Sequence, residues 1–315
     1  MQLSQKVAFP MTTTTPTLSD LLQLPVMRAA YSDRTAWLMA RCSQLAYLEF
    51  ESGQEPQLRA GLQELGLTYL QPFSKGGTCA FLARNERFAV LAFRGTTKDF
   101  RTILDDIKIR FYRDRSGART STGFSEAYKF VQQEIADAVS TLEPDLPLYI
   151  TGHSLGGALA AIASTRILPS DRIAACYTYG CPRVGDGEFT FQLWKVPVYR
   201  QVHQSDIVPH APLAFGYRQA GDFRYLKRNG KMLQDPNTIG FLASFLFSAV
   251  TNFKSVFENH RIAGYVDALQ SWALLRLKLD GEARSAQATA DVIAAAANPA
   301  MPPPSGTQPA SPAKP

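Results

Sequence analysis

Apolar positions in this chain switch repeatedly between a helical period and a strand period. Leu38, Cys42, Leu45 and Leu48 fall on one face of a helix that Ser32 or Asp33 can cap. Short β-rich runs follow at Leu67–Leu70, Cys79–Ala83 and Phe88–Phe93. A long amphipathic helix then places Tyr128, Val131, Ile135, Val139 and Leu142 on one side. Next come a strand at Leu146–Ile150, a small-residue helix from Leu155, and strands at Ile173–Tyr179 and Val196–Val202. Strands separated by helices of this length predict an α/β fold: a mostly parallel central sheet with helices on both faces. Ligands of such sheets bind at the carboxyl ends of the strands.

The two ends of the chain lack this pattern. Residues 1–18 are polar and Thr-rich, and from Ala283 onward Ala, Pro, Ser and Gln dominate. Such segments bury too little apolar surface to offset their ordering entropy. The expectation is a disordered lead over 1–18, a folded domain over 19–282 and a disordered tail over 283–315. Of the 315 residues, 45% are hydrophobic and 19% charged, as in globular proteins. The net charge of +6 is spread along the chain without a basic run, so no nucleic-acid partner is expected. Cys42, Cys79, Cys176 and Cys181 are scattered and read as buried free thiols. No metal-ligand spacing occurs, and no metal or organic cofactor is expected. The uncharged run Thr238–Phe253 is too short for a membrane span. It reads as a buried helix or as the apolar wall of a pocket. The chain starts without a signal-peptide pattern, which favours the cytoplasm or the periphery of a membrane.

The strongest local signal is Gly152-His153-Ser154-Leu155-Gly156-Gly157, between the strand LPLYI and the helix LGGALAAIAS. This strand–turn–helix setting gives G-x-S-x-G its meaning: a tight, strained turn that lifts a serine clear of an α/β-hydrolase sheet. Gly152 and Gly156 let strand and helix approach closely. The Leu155 N–H sits at a helix N-terminus, where the dipole favours a developing oxyanion. A second oxyanion donor is expected after an earlier strand. Phe93-Arg94-Gly95-Thr96-Thr97 fits, with Thr96 offering an N–H and a hydroxyl.

A serine hydroxyl needs a base, and in this fold the order is Ser, then Asp or Glu, then His. Asp206 follows the strand VPVYRQV, at its carboxyl end, and His260 stands near the end of the domain. His203 precedes the acid and breaks the order. His210 lies only four residues beyond Asp206, among prolines, and is the competing base. His153, adjacent to the serine on the elbow, reads as a packing residue. These positions predict Ser154 as nucleophile, Asp206 as acid and His260 as base of an ester hydrolase.

With these pieces placed, the sequence resembles the class 3 lipase family, fungal-type triacylglycerol lipases and their relatives, over about residues 35–275. The markers are Phe93–Thr96 (FRGT), Gly123–Tyr128 (GFSEAY), Gly152–Ala160 (GHSLGGALA), Tyr179–Asp186 (YGCPRVGD), Ser205–Pro209 (SDIVP) and His260–Tyr265 (HRIAGY). The resemblance implies an α/β-hydrolase fold, the triad Ser154, Asp206 and His260, and oxyanion donors Thr96 and Leu155. The implied activity is acylglycerol hydrolysis through an acyl-enzyme. Its alternatives are a feruloyl esterase, thioesterase or phospholipase of the same fold, or a catalytically silent binding module. The substrate would be a lipid or small ester, with transient contact to a membrane or lipid-droplet surface left open and no protein partner indicated. Three positions depart from the family: His203 where Asn is frequent, Cys181 where Ser is frequent, and Thr122 where His is common. They leave substrate preference open. Family position also makes Lys98–Ile109 a lid candidate. Phe100, Ile103, Leu104 and Ile107 form one apolar stripe there, which could close over a pocket in water and turn outward at a lipid surface. A permanently packed helix has the same pattern.

Overall fold

A computed structural model describes residues 15–23, 30–48, 53–96, 111–114, 117–167, 169–212, 216–227, 230–235 and 258–297. The lid candidates Phe100, Ile103, Leu104 and Ile107 lie outside the described residues, as does the run Thr238–Phe253.

Helix α1 (Leu18–Gln23) is followed by α2 (Asp33–Leu45) and α3 (Glu55–Glu64). Ser32 caps α2, its hydroxyl accepting from the Thr35 N–H at 3.0 Å. Strands β1 (Thr68–Lys75), β2 (Thr78–Arg84) and β3 (Ala89–Phe93) come next, then the short pair β4 (Phe111–Arg113) and β5 (Arg119–Ser121). Helix α4 (Thr122–Ser140) leads to β6 (Leu148–His153), α5 (Leu155–Arg166) and β7 (Ile173–Tyr179). The chain continues through α6 (Gly187–Gln192), β8 (Val198–His203), β9 (Asp222–Leu226), β10 (Met232–Gln234) and α7 (Ile262–Ala297).

Eight strands form one sheet in the order β1-β2-β3-β6-β7-β8-β9-β10, and β4 and β5 form a separate ribbon. The centre, from β3 through β6, β7 and β8 to β9, is parallel, and the margins β1-β2-β3 and β9-β10 are antiparallel. The expected mostly parallel α/β sheet is therefore present, with antiparallel edges. Residues alternate between its two faces. Leu148 and Ile150 of β6 join Phe124, Val131 and Ile135 of α4 and the small residues of α5 in one core. Tyr149 of β6, Tyr177 of β7 and Tyr199 of β8 face the other core, with Trp37 and Leu38 of α2 and Tyr265 and Leu269 of α7. Burying each of these large side chains contributes about 1.5–3 kcal/mol, so helices on both faces are needed to cover the sheet.

Four elements differ from the sequence expectations. Strand β1 runs five residues beyond Leu70, to Lys75, through Pro72. It is an edge strand, where a missing N–H costs no ladder bond. Strands β9 and β10 extend the sheet where no strand was expected. Helix α7 continues to Ala297, well past the boundary at 283. From Lys278 to Asp291 every side chain is exposed, so no tertiary packing holds this stretch. Alanine's low entropy cost and local pairs sustain it instead: Lys278–Glu282 at 3.9 Å and Gln287–Asp291 at 2.7 Å. The chain is thus helical through Ala297, and from Lys278 to Asp291 it buries no side chain. Among the described residues no helix is long and apolar enough to cross a membrane.

The expected consequence is measurable by thermal unfolding. Deleting residues 283–315 should shift Tm by no more than about 2 °C. Leu269→Ala, at a fully buried position of the same helix, should cost about 2–5 kcal/mol.

Candidate active site

Ser154 occupies the turn between β6 and α5 with φ 58° and ψ −126°, a conformation that side chains normally avoid. Close packing holds it there. A Cβ on Gly152 would collide with the backbone of Gly156, and a Cβ on Gly156 would collide with that of Phe93 at the end of β3. The Ser154 N–H donates to the Tyr179 carbonyl at 2.9 Å, tying the turn to β7. The Leu155 N–H opens α5, among the first four helical N–H groups that have no intrahelical acceptor. Thr96 follows β3, whose Phe93 pairs with Gly152, so its loop lies beside the elbow. Leu155 is thus part of the elbow, and Thr96 follows the strand paired with it.

The serine, acid and base expected from sequence meet across 106 residues of chain. His260 Nε2 lies 2.9 Å from Ser154 Oγ, and His260 Nδ1 lies 2.9 Å from Asp206 Oδ2. The carboxylate only accepts, so Nδ1 carries a proton and Nε2 is open to receive one from the serine. Asp206 follows β8 and has no exposure to solvent. Besides His260, it accepts from the Val208 N–H at 2.9 Å and the Tyr265 hydroxyl at 2.6 Å. Three donors satisfy a carboxylate that would otherwise be costly to bury. Burial, together with the Asp206 charge, pushes the Tyr265 hydroxyl far above its usual range, so it remains a donor. Such an arrangement can take a proton from a hydroxyl and stabilise the imidazolium that results.

Several contributors escaped the sequence reading. Tyr265 lies within HRIAGY, but only the fold shows its hydroxyl on Asp206. Gly180, with φ 57°, sits under the pair: a Cβ there would be 2.7 Å from Asp206 Oδ2 and 2.9 Å from His260 Nδ1. His153 does more than pack. Its Nε2 lies 2.6 Å from the His260 carbonyl and its Nδ1 2.7 Å from the Tyr47 hydroxyl. His203 Nδ1 donates to the Asn259 carbonyl at 3.2 Å, and the Asn259 amide donates to Ser205 Oγ at 2.8 Å. The loop carrying the base is therefore pinned from both β6 and β8. His210, the competing base, is on a short turn at Val208–His210 and is not the imidazole that meets Ser154. A cleft of about 260 Å³, lined by Leu193, Trp194, Val198 and Asp222 among others, opens at the amino ends of β8 and β9. That is the end of the sheet away from Ser154. Among the described residues no cluster of His, Cys, Asp and Glu is arranged to hold a metal ion.

Burial holds His153 and His203 below the usual histidine range and, with Arg200 and Arg183 nearby, lowers His210 to about 4. Above pH 6.5 both folded and unfolded His210 are neutral and the shift contributes nothing. Between 6.5 and 4 only the unfolded state takes up the proton, so stability falls with pH, by about 3 kcal/mol from His210 alone once pH 4 is passed. Urea unfolding should therefore show a steep loss of stability from pH 6.5 to 4, with a shallower loss in His210→Gln.

Comparison with known proteins agrees with this geometry. Residues 90–216 match the family described as Lipase (class 3). The lipase of Rhizopus niveus is 34% identical over 157 residues, covering 46% of this chain and 40% of that protein. The lipase of Rhizomucor miehei is 31% identical over 196 residues, covering 58% and 54%. The chain thus spans about half the length of these curated relatives. The solved structure of the Rhizomucor miehei triacylglyceride lipase superposes with a TM-score of 0.58 at 26% identity, over 74% of this chain and 95% of that one. The matched segment carries the elbow and the acid: over it the chain is similar to the class 3 lipases, and its fold is the α/β-hydrolase fold of their solved structures.

Proposed function

We propose that this chain hydrolyses carboxylic esters of lipids, acylglycerols foremost, through an acyl-enzyme on Ser154. The observation that carries the reading is the unbroken chain from Ser154 Oγ through both nitrogens of His260 to the buried Asp206, each link 2.9 Å. His260 takes the serine proton as Oγ attacks the ester carbonyl. The Leu155 and Thr96 N–H groups receive the negative charge of the tetrahedral intermediate, and His260 then protonates the departing alcohol. A water repeats the sequence on the acyl-enzyme, returning the serine and releasing the acid. Asp206 orients the imidazole and balances its charge at the transition state. Kinship with the fungal lipases supports lipid esters over other carboxylic esters as substrates.

Two substitutions at one position test this. Ser154→Ala should fold normally and lower kcat on p-nitrophenyl and glycerolipid esters by about 10³-fold or more. It should also abolish labelling by a fluorophosphonate probe. Ser154→Gly should be equally inactive but more stable by about 1 kcal/mol, because glycine accepts φ 58° without strain. Undiminished turnover in folded Ser154→Ala would remove the serine mechanism.

A further inference from the structure

The reaction as proposed makes no direct use of the histidine next to the nucleophile. His153 lies on the elbow beside the nucleophile, is 4% exposed, and holds its ring, tilted by 36°, 4.6 Å from that of His260. Its hydrogen bonds allow only one proton arrangement. The His260 carbonyl can only accept, so His153 Nε2 carries the hydrogen of that 2.6 Å bond. A neutral imidazole protonated there has Nδ1 as an acceptor, and the group facing Nδ1 at 2.7 Å is the Tyr47 hydroxyl, which must donate. Gly95 packs directly against that hydroxyl. Gly95 belongs to the oxyanion loop, and a Cβ there would collide with the Tyr47 hydroxyl and approach the His153 carbonyl to 2.6 Å. Burial, reinforced by the neighbouring His260, keeps His153 neutral, and a second proton would set donor against donor at Tyr47.

We propose that Tyr47 and His153 are positioning residues. They form a one-way hydrogen-bond chain, Tyr47 hydroxyl to His153 ring to His260 carbonyl, with Gly95 packed against the Tyr47 hydroxyl, that couples the oxyanion loop to the base loop. The inference rests on the serine-hydrolase reading for its catalytic effect, and on geometry alone for the chain itself. Its function is registry. The described residues around His260 belong to no strand, so the height of the imidazole above Ser154 depends on what grips its backbone. His153 grips it from the same elbow that presents the serine. Base and nucleophile therefore share one frame, and the oxyanion donors are tied to it through Tyr47. Small displacements of such groups cost large factors in rate.

The test uses the full chain, with p-nitrophenyl butyrate and a fluorophosphonate probe. Tyr47→Phe removes one hydroxyl from a near-identical shape. It should lower kcat and the labelling rate about tenfold, with KM and Tm little changed. A glutamine amide at 153 can place a donor where Nε2 lies, and an asparagine amide reaches only the Nδ1 position. His153→Gln should therefore retain at least tenfold more activity than His153→Asn, which a general packing role would not predict. Nitrogen chemical shifts of His153 report the tautomer without turnover, with protonated Nε2 and bare Nδ1 expected. Wild-type labelling in folded Tyr47→Phe, equal activities of the Gln and Asn variants, or an Nδ1-protonated His153 would each overturn the proposal. If the His153 variants do not fold, Tyr47→Phe and the tautomer decide. A wild-type chain that the probe never labels would instead refute the serine-hydrolase reading, with the tautomer still testing the chain.

Discussion

Holding a serine at φ 58° and ψ −126° costs about 1–3 kcal/mol, and the surrounding fold is arranged so that the chain has no better option. Strand β6 is paired on both sides by parallel strands, its end is roofed by α5, and glycines at 152 and 156 let strand, helix and the end of β3 meet backbone to backbone. Relaxing the turn would separate these contacts and open two cores at once. The serine is strained because the sheet and helix together outweigh the strain.

The second constraint is electrostatic. A carboxylate with no exposure has lost its water, and every donor that replaces it must come from protein. Those donors, Val208 N–H on one segment and Tyr265 hydroxyl and His260 Nδ1 on another, arrive from two separate pieces of chain. In a medium of low dielectric each bond is stronger than in water, and each omission is more damaging. The result is a stiff acid whose geometry is inherited by the imidazole. The same logic applies around His153 and His203, whose ring nitrogens hold backbone carbonyls of the base loop.

What could be read from the sequence follows the range over which each determinant acts. Ser154 was legible because strand, turn and helix are contiguous, and Asp206 because it closes a run of β-branched residues. His260 was found by chain order, and the alternation of strands and helices was enough for the sheet. Tyr47 and Gly180 carry no local mark, since their partners lie far along the chain: Tyr47 meets His153 across 106 positions. His153 was read as packing because its neighbour Ser154 says nothing of a carbonyl at 260. Strand β1 was cut short because Pro72 looks like a breaker until the strand proves to be at the edge. Helix α7 overran its expected end because composition alone does not separate an alanine-rich coil from an alanine-rich helix.

The parallel centre of the sheet has a consequence for how the molecule comes into being. Parallel neighbours cannot be joined by a tight turn, so β3 reaches β6, β6 reaches β7 and β7 reaches β8 only after the intervening helices have been routed over one face or the other. Loop closures of this size slow the search for the native arrangement. The base loop lies beyond all of these strands in the chain and is gripped by residues of β6 and β8. His260 can therefore reach Ser154 only when the sheet is already assembled. Recovery of a reactive serine after dilution from denaturant is thus a clock for the last long-range step of folding, running behind any signal from helix formation.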